Sequence, residues 1–307
     1  MTLFTRDDIL KQLQRGISLN NAELSCIDLS NTNLDFGDFS EAYLRKANFT
    51  DASCQKTNFS MASMVFANLS NANFSQANLE RAELNNANLT NIDLQQVNAS
   101  NVKLHSAKFS NVTANQGIFN DADFREVLGS KIDFSDANFE NALFRKSQFK
   151  KSSFDRANCK QADFRATKLI NNSWRRSKLR KANFSHTKIS KNQFIFINLS
   201  KAKFSHAHLR STIFDMGELQ QVDFHSTRFQ SVNFTDSLLF GANLKGANFF
   251  QVNFTNTSLQ NANLRNTNWQ QVNFVNCNFR GAIFAKSTGL SAIQKEMLQQ
   301  NGALKVN

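Results

Sequence analysis

The sequence predicts an all-β solenoid, a parallel β-helix of four-sided coils, and three observations carry that reading. First, a bulky apolar residue recurs at every fifth position: of the 54 positions from Leu19 to Phe284, 25 are Phe and 20 are Leu. Phe74, Leu79, Leu84, Leu89 and Leu244 are core positions of this series. Second, a smaller apolar series runs two residues ahead of the first, as in Ala62, Ala67, Ala72 and Ala77, or Val232 and Val252. Third, the 307 residues include no proline. A helix needs apolar residues three and four apart and a strand needs alternation, so neither template fits a period of five. A chain that turns a corner every five residues does fit, with the large centre and the small residue before it pointing inward. Four sides close a coil of about 20 residues, so the 54 positions make about 13 coils, stacked at the strand spacing of ~4.8 Å. Absence of proline suits backbone N–H groups that bond from coil to coil.

The elements follow in order. Thr5 with Asp8 matches a capping box, Ile9, Leu10 and Leu13 form an apolar helical face, and Gly16 is placed to end it. Residues 1–16 are therefore expected to form an N-terminal cap helix, and residues 17–285 one continuous β-helix. Ser291 starts a second helical pattern carrying Ile293, Met297 and Leu298, with Gly302 at its end, so residues 286–307 are expected to cap the solenoid or to pair two chains. Ala99, Ala114, Gly117 and Gly129 put small residues at inward positions. A thin or bent core is expected there, with Leu128 competing for the centre through a bulge.

Units of the type Ala87, Asn88, Leu89 followed by two polar residues resemble the pentapeptide repeat family, over residues 17–285. The resemblance implies a right-handed quadrilateral β-helix, often dimeric through a C-terminal module. The opening TRDDILKQLQRGISLNNAELSCIDLSNTNL also resembles pentapeptide repeat proteins associated with type VI secretion. Bacterial origin and a secretion-linked accessory or effector role are what those likenesses imply.

Little in the sequence points to chemistry. No cofactor is expected, since neither a phosphate-cradling Gly loop nor a nucleophile elbow nor a metal motif occurs. His186 and His206 fall at one surface position on neighbouring coils, without a third ligand. The pairs Asp121 with Asp123 and Glu80 with Glu83 are read as surface charges without a pocket. Cys54 and Cys159 fall at inward centres, Cys277 at an inward small position and Cys26 outside, so no disulfide is expected. No apolar run suits a membrane span and no secretory signal is recognisable. Cytoplasmic localisation is the expectation, with signal-less secretion by a dedicated system left open.

Charge is unevenly distributed. Residues 1–100 carry 7 Lys/Arg against 11 Asp/Glu, and residues 141–191 carry 15 against 2. Mapped by sides, the second window reads as a collar, of which Arg145, Lys146, Lys150, Lys151, Arg156, Arg165, Arg175, Arg176, Arg180 and Lys181 are candidate anion-binding residues. Nucleic acid or anionic lipid are its conceivable ligands, although surface aromatics are not expected to interleave with the basic residues. The family resemblance also implies DNA gyrase protection by mimicry of duplex DNA, but a mimic of a polyanion should be acidic. Just beyond the collar, Ile195, Phe196, Ile213, Met216, Leu238 and Phe240 take outward positions on two neighbouring sides. They are the candidate protein-binding patch. The resulting expectation is a non-enzymatic binding scaffold whose partner is a protein, with a homodimer through the C-terminal helix as a further possibility.

Overall fold

The structure is a computed structural model that describes residues 4–306. Two compact units divide at Asn158/Cys159. The first opens with helix α1 (Arg6–Gln14), where Thr5 accepts from the Asp8 N–H and Asp8 accepts from the Thr5 N–H, satisfying two end donors at once. Ile9 is the fully buried residue of its inner face. Gly16, at φ +68°, donates to the Leu13 carbonyl and ends the helix. Among later elements of this unit are strands β1 (Lys108–Thr113), β2 (Leu128–Asp133) and β3 (Gln148–Lys150), paired in parallel in that order.

The second unit holds two parallel sheets. One orders β4 (Lys168–Ile170), β5 (Lys188–Ser190), β7 (His208–Arg210), β9 (Arg228–Gln230), β11 (Asn248–Phe250) and β13 (Asn268–Gln270). The other orders β6 (Gln193–Ile195), β8 (Ile213–Asp215), β10 (Asn233–Thr235), β12 (Asn253–Thr255) and β14 (Asn273–Val275). Helix α2 (Ala292–Gln300) closes the chain behind a capping box of Ser291 and Gln294. Among the described residues, no helix is long and apolar enough to cross a membrane.

One hydrogen-bond scheme repeats through both units. Leu24 N–H donates to the Tyr43 carbonyl at 2.8 Å, and Tyr43 N–H donates back to the Ala22 carbonyl at 2.9 Å. Residues 20 apart are thus register partners, as in the parallel series Glu23, Tyr43, Ser63, Glu83, Lys103, Asp123 and Leu143. Many corners are hydrogen-bonded β-turns: Ala22 N–H donates to the Leu19 carbonyl at 3.1 Å, and Asn21 between them has φ 57°. Positive φ recurs at every fifth residue through both units, and no Val, Ile or Thr is among those residues. A β-branched side chain is the one least able to enter the left-handed region.

The centres of the period are the core. In the second unit, Phe164, Phe184 and Phe204 stack with centroids 4.7 Å apart, and Phe194, Phe214, Phe234 and Phe254 form a second stack at 4.9 to 5.0 Å. Such pairs add about 0.5–1.5 kcal/mol each to the stabilisation from burial. Polar residues at the small inward position bond to backbone: Thr187 Oγ1 donates to the Phe164 and Phe184 carbonyls, and Asn192 Nδ2 to the Leu169 carbonyl. The cost of their burial is thereby avoided.

Two expectations need correction. Leu128 does not compete for the core: it is 59% exposed, and Gly129 keeps the inward centre. A Cβ on Gly129 would lie 2.5 Å from the Phe149 ring, so the missing side chain is the space that ring occupies. Phe119 fills the place beside Gly117 in the same way, and the segment is packed by neighbouring rings rather than thinned. Of the three apolar residues Ile293, Met297 and Leu298 carried by α2, only Leu298 is buried; Ile293 is 81% exposed.

Candidate interaction surface

Corner and strand geometry build the apolar patch of the second unit. Phe196 sits at a corner with φ 54°, and its N–H donates to the Asp215 carbonyl at 2.9 Å. Met216 is the equivalent corner residue one coil on, at φ 48°. A positive-φ corner holds its side chain off the sheet, which is why Phe196 is 52% and Met216 45% exposed. Ile213 stands on β8 opposite Gln193 and is exposed, whereas Ile195, opposite Asp215, is half-buried. Leu238 pairs in register with Glu218 on the neighbouring side, and Phe240 follows two residues later; both are exposed. The Arg176 guanidinium lies over the Phe196 ring, 5.9 Å from its centroid, and Arg175 Nη2 donates to Gln193 Oε1 at 3.4 Å.

Exposed aromatics carry cations elsewhere too. In the first unit Lys56 lies 5.5 Å over Phe36, which is 73% exposed, and Arg45 lies 6.0 Å over Phe66. Tyr43 and Met61 are exposed nearby in sequence. Phe36 and Phe66 are among the six Phe outside the five-residue register, and that misfit is the signal by which the sequence marks them. A further groove of about 490 Å³ lies between α2 and β14, lined by Val272, Phe274, Val275, Ile293 and Met297 among others.

The basic residues are not equivalent. In the first unit Arg156 makes a two-pronged contact with Asp136, at 2.7 and 2.6 Å, and Lys146 lies 3.6 Å from Glu126. In the second unit Arg165 is held by Asp163 at 2.7 Å. On the side formed by β4, β5, β7 and β9, Lys168, Lys188, His208 and Arg228 are successive register partners.

The carboxylates Asp123 and Glu83, of interest for catalysis, are paired, whereas His105 Nδ1 is buried without a hydrogen-bond partner among the described residues. Asp121 and Asp123 line an open depression in the first unit, with Lys103, His105 and Arg125, which the sequence reading did not anticipate. Burial acts to raise the Asp123 pKa, but hydrogen bonds and charge from Arg125 outweigh it and hold the carboxyl below its ordinary value. It stays an ionised acceptor, unsuited to proton donation. Glu83 pairs with Lys103 at 2.7 Å. His186 and His206 stack at 5.1 Å, and His206 meets His225 edge-on at 4.9 Å, while His225 Nδ1 is 3.0 Å from both Asp223 oxygens. Among the described residues no group of three or more His, Cys, Asp or Glu is placed to hold a metal ion. Cys26, Cys54, Cys159 and Cys277 are free thiols, and burial pushes Cys54 and Cys159 well up.

The sequence profile described as Pentapeptide repeats (8 copies) matches overlapping stretches that together cover residues 15–113, 132–215, 218–256 and 257–288. No curated protein sequence matches the chain. Among solved structures, one similar chain is HetL, a pentapeptide repeat protein involved in heterocyst differentiation regulation in the cyanobacterium Nostoc sp. strain PCC 7120. The alignment covers 92% of this chain and 97% of HetL at 21% identity, with a TM-score of 0.36. For QnrB1, a plasmid-mediated fluoroquinolone resistance protein, the coverage is 71% and 91%, the identity 17% and the TM-score 0.22. For the A-module of the Azotobacter vinelandii mannuronan C-5 epimerase AlgE4 the values are 92%, 88%, 10% and 0.37. At these identities and scores none of the three bears on function.

Proposed function

The chain belongs to the pentapeptide repeat family, and from that premise we propose that it is a non-enzymatic scaffold that captures a protein partner on the patch around Phe196. The observation that carries this reading is the gathering of Phe196, Ile213, Met216, Leu238 and Phe240, all exposed, on two neighbouring sides of the second unit. Single exposed apolar side chains are ordinary; five in one region form a contact surface. Phe196 with Arg176 above it is the kind of aromatic and arginine pair that dominates interface energetics.

The test is affinity capture from a bacterial lysate, with the wild-type protein run beside the Phe196→Asp, Met216→Lys double variant. Both substitutions are exposed, so the fold should survive, as circular dichroism will show. A partner held by wild type at high salt and lost by the variant is the expected result. Equal capture by both would remove the patch from consideration.

A second reading is favoured by the groove beside α2. Ile293 at 81% and Val275 at 48% exposure flank an apolar cleft at the chain's end, and a second copy of α2 is a suitable cover for it. Mimicry of duplex DNA, as in gyrase protection, is disfavoured by charge: residues 159–307 carry 20 Lys/Arg against 6 Asp/Glu, a net +14.

A further inference from the structure

The cations of the second unit form a stripe that the apolar patch does not use. Lys168 pairs in register with Lys188, Lys188 with His208, and His208 with Arg228, on four adjacent parallel strands. All four side chains are exposed. At a strand spacing of ~4.8 Å the column runs roughly 14 Å. Arg210 on β7 and Lys191 at the corner after β5 widen it, and both are exposed. None of the six makes an ion pair among the described residues. The strands β4, β5, β7, β9, β11 and β13 with the residue after each contain no Asp or Glu. This differs from Arg156 and Arg165, whose carboxylate partners lie within 2.7 Å.

Like charges placed directly opposite on neighbouring strands repel and weaken the sheet. A fold that needed only solubility would scatter its cations among acids. A ladder of cations with no acid beside it acquires a purpose when a polyanion supplies the missing charge. We propose that the Lys168, Lys188, His208, Arg228 column, with Lys191 and Arg210, binds the phosphate backbone of duplex DNA without reading its sequence.

The flanking chemistry selects this ligand. Ser190, Ser211 and Gln230 offer hydroxyl and amide donors beside the cations, as backbone contacts to phosphate require. A single strand would need a run of aromatic platforms between the basic residues; on the four strands of the column the one exposed ring is that of His208, and the exposed Phe250 lies one strand beyond, in register with Gln230. A protein interface would put an apolar centre inside a charged rim, whereas here the centre is the charge. His208 lies between Lys188 and Arg228; burial and those two cations lower its pKa. At neutral pH the column therefore presents five fixed charges and one neutral, hydrogen-bonding imidazole.

The experiment is fluorescence anisotropy of a labelled mixed-sequence DNA duplex with the full chain, repeated across salt concentrations. Five neutralised phosphates predict a slope of log Kobs against log salt of about −4.5, and Lys188→Gln should reduce its magnitude by about 0.9. Duplexes of different sequence should bind alike. A Lys188→Glu, Arg228→Glu variant should lose binding at least tenfold more than the charge-matched control Arg280→Glu, Lys286→Glu. Thermal unfolding supplies the second readout: Lys188→Gln relieves repulsion and should raise the Tm while binding falls, a combination that a structural role does not give. The proposal is overturned if the duplex does not bind, if the control variant loses as much, or if a single strand of equal length binds as tightly. It is equally overturned if stripe-dependent binding appears only with phosphatidylglycerol vesicles or polyglutamate.

Discussion

At the scale of single residues, the corners are where this fold is most demanding. Each corner holds a residue at positive φ, with strain of roughly 1–2 kcal/mol for a side chain other than glycine. The strain is tolerated because that residue's N–H is fixed to the next coil, as Gln221 N–H is to the Phe240 carbonyl at 2.9 Å. Gln221 has φ 55° and is exposed, so substitutions there report on backbone alone. Gln221→Val is expected to destabilise by about 1–2 kcal/mol, and Gln221→Gly to change stability little, because relief of strain offsets the greater freedom of the unfolded chain. Urea unfolding of both variants checks this; equal stability for valine and glycine would show that corner strain is not a controlling factor.

At the scale of elements, polar ladders accompany the apolar stacks. Asn98 Nδ2 donates to Asn78 Oδ1, Asn78 to Asn58, and Asn58 to Asp38, at 2.9 to 3.2 Å. Each amide is acceptor and donor in turn, and Asp38 ends the series because a carboxylate only accepts. Burial pushes the Asp38 pKa up, but hydrogen bonds from Ser18, Ser40 and Asn58 outweigh it, leaving it lowered. The sign follows directly: a carboxyl depressed in the folded state contributes stability above the ordinary carboxylate pKa, and that contribution disappears as pH falls through the lower folded value. Unfolding midpoints should therefore fall as pH drops below about 4, and the decline should be shallower in Asp38→Asn, which should also be less stable at pH 7. An identical acid profile for wild type and variant would show that the ladder terminus carries no linkage.

At the scale of the whole molecule, charge and oligomeric state are the quantities that matter. Residues 1–158 carry 16 Lys/Arg against 18 Asp/Glu, a net −2, so the formal charge of +12 arises from the +14 of residues 159–307. A binder of anions and a mimic of an anion are opposite designs, and this balance supports the first. Dimerisation through α2 makes its own prediction: light scattering should give twice the 34.7 kDa chain mass for wild type and the single mass for Ile293→Lys. A monomeric wild type at high concentration would rule that pairing out.

The five-residue period determined the coil by itself, because a large side chain at fixed phase admits no other closed backbone. The capping box of Thr5 with Asp8 and the helix start at Ser291 were equally legible, since they need only local geometry; that Gln294 completes a second box is seen in the structure. The left-handed corners were only partly legible, because Asn at many of them tolerates positive φ whereas Lys and Gln at others carry no signal that glycine would have given. The pairings of the charges were not legible: Arg156 finds Asp136 and Lys146 finds Glu126 across a separation of 20 residues, while Lys188 finds only other cations. Position along the chain decides which side a residue faces; stacking of coils decides whom it meets there. For that physical reason the architecture lies in the sequence, whereas the exposed Phe36, the satisfied Asp123 and the unpaired basic column belong to the tertiary structure.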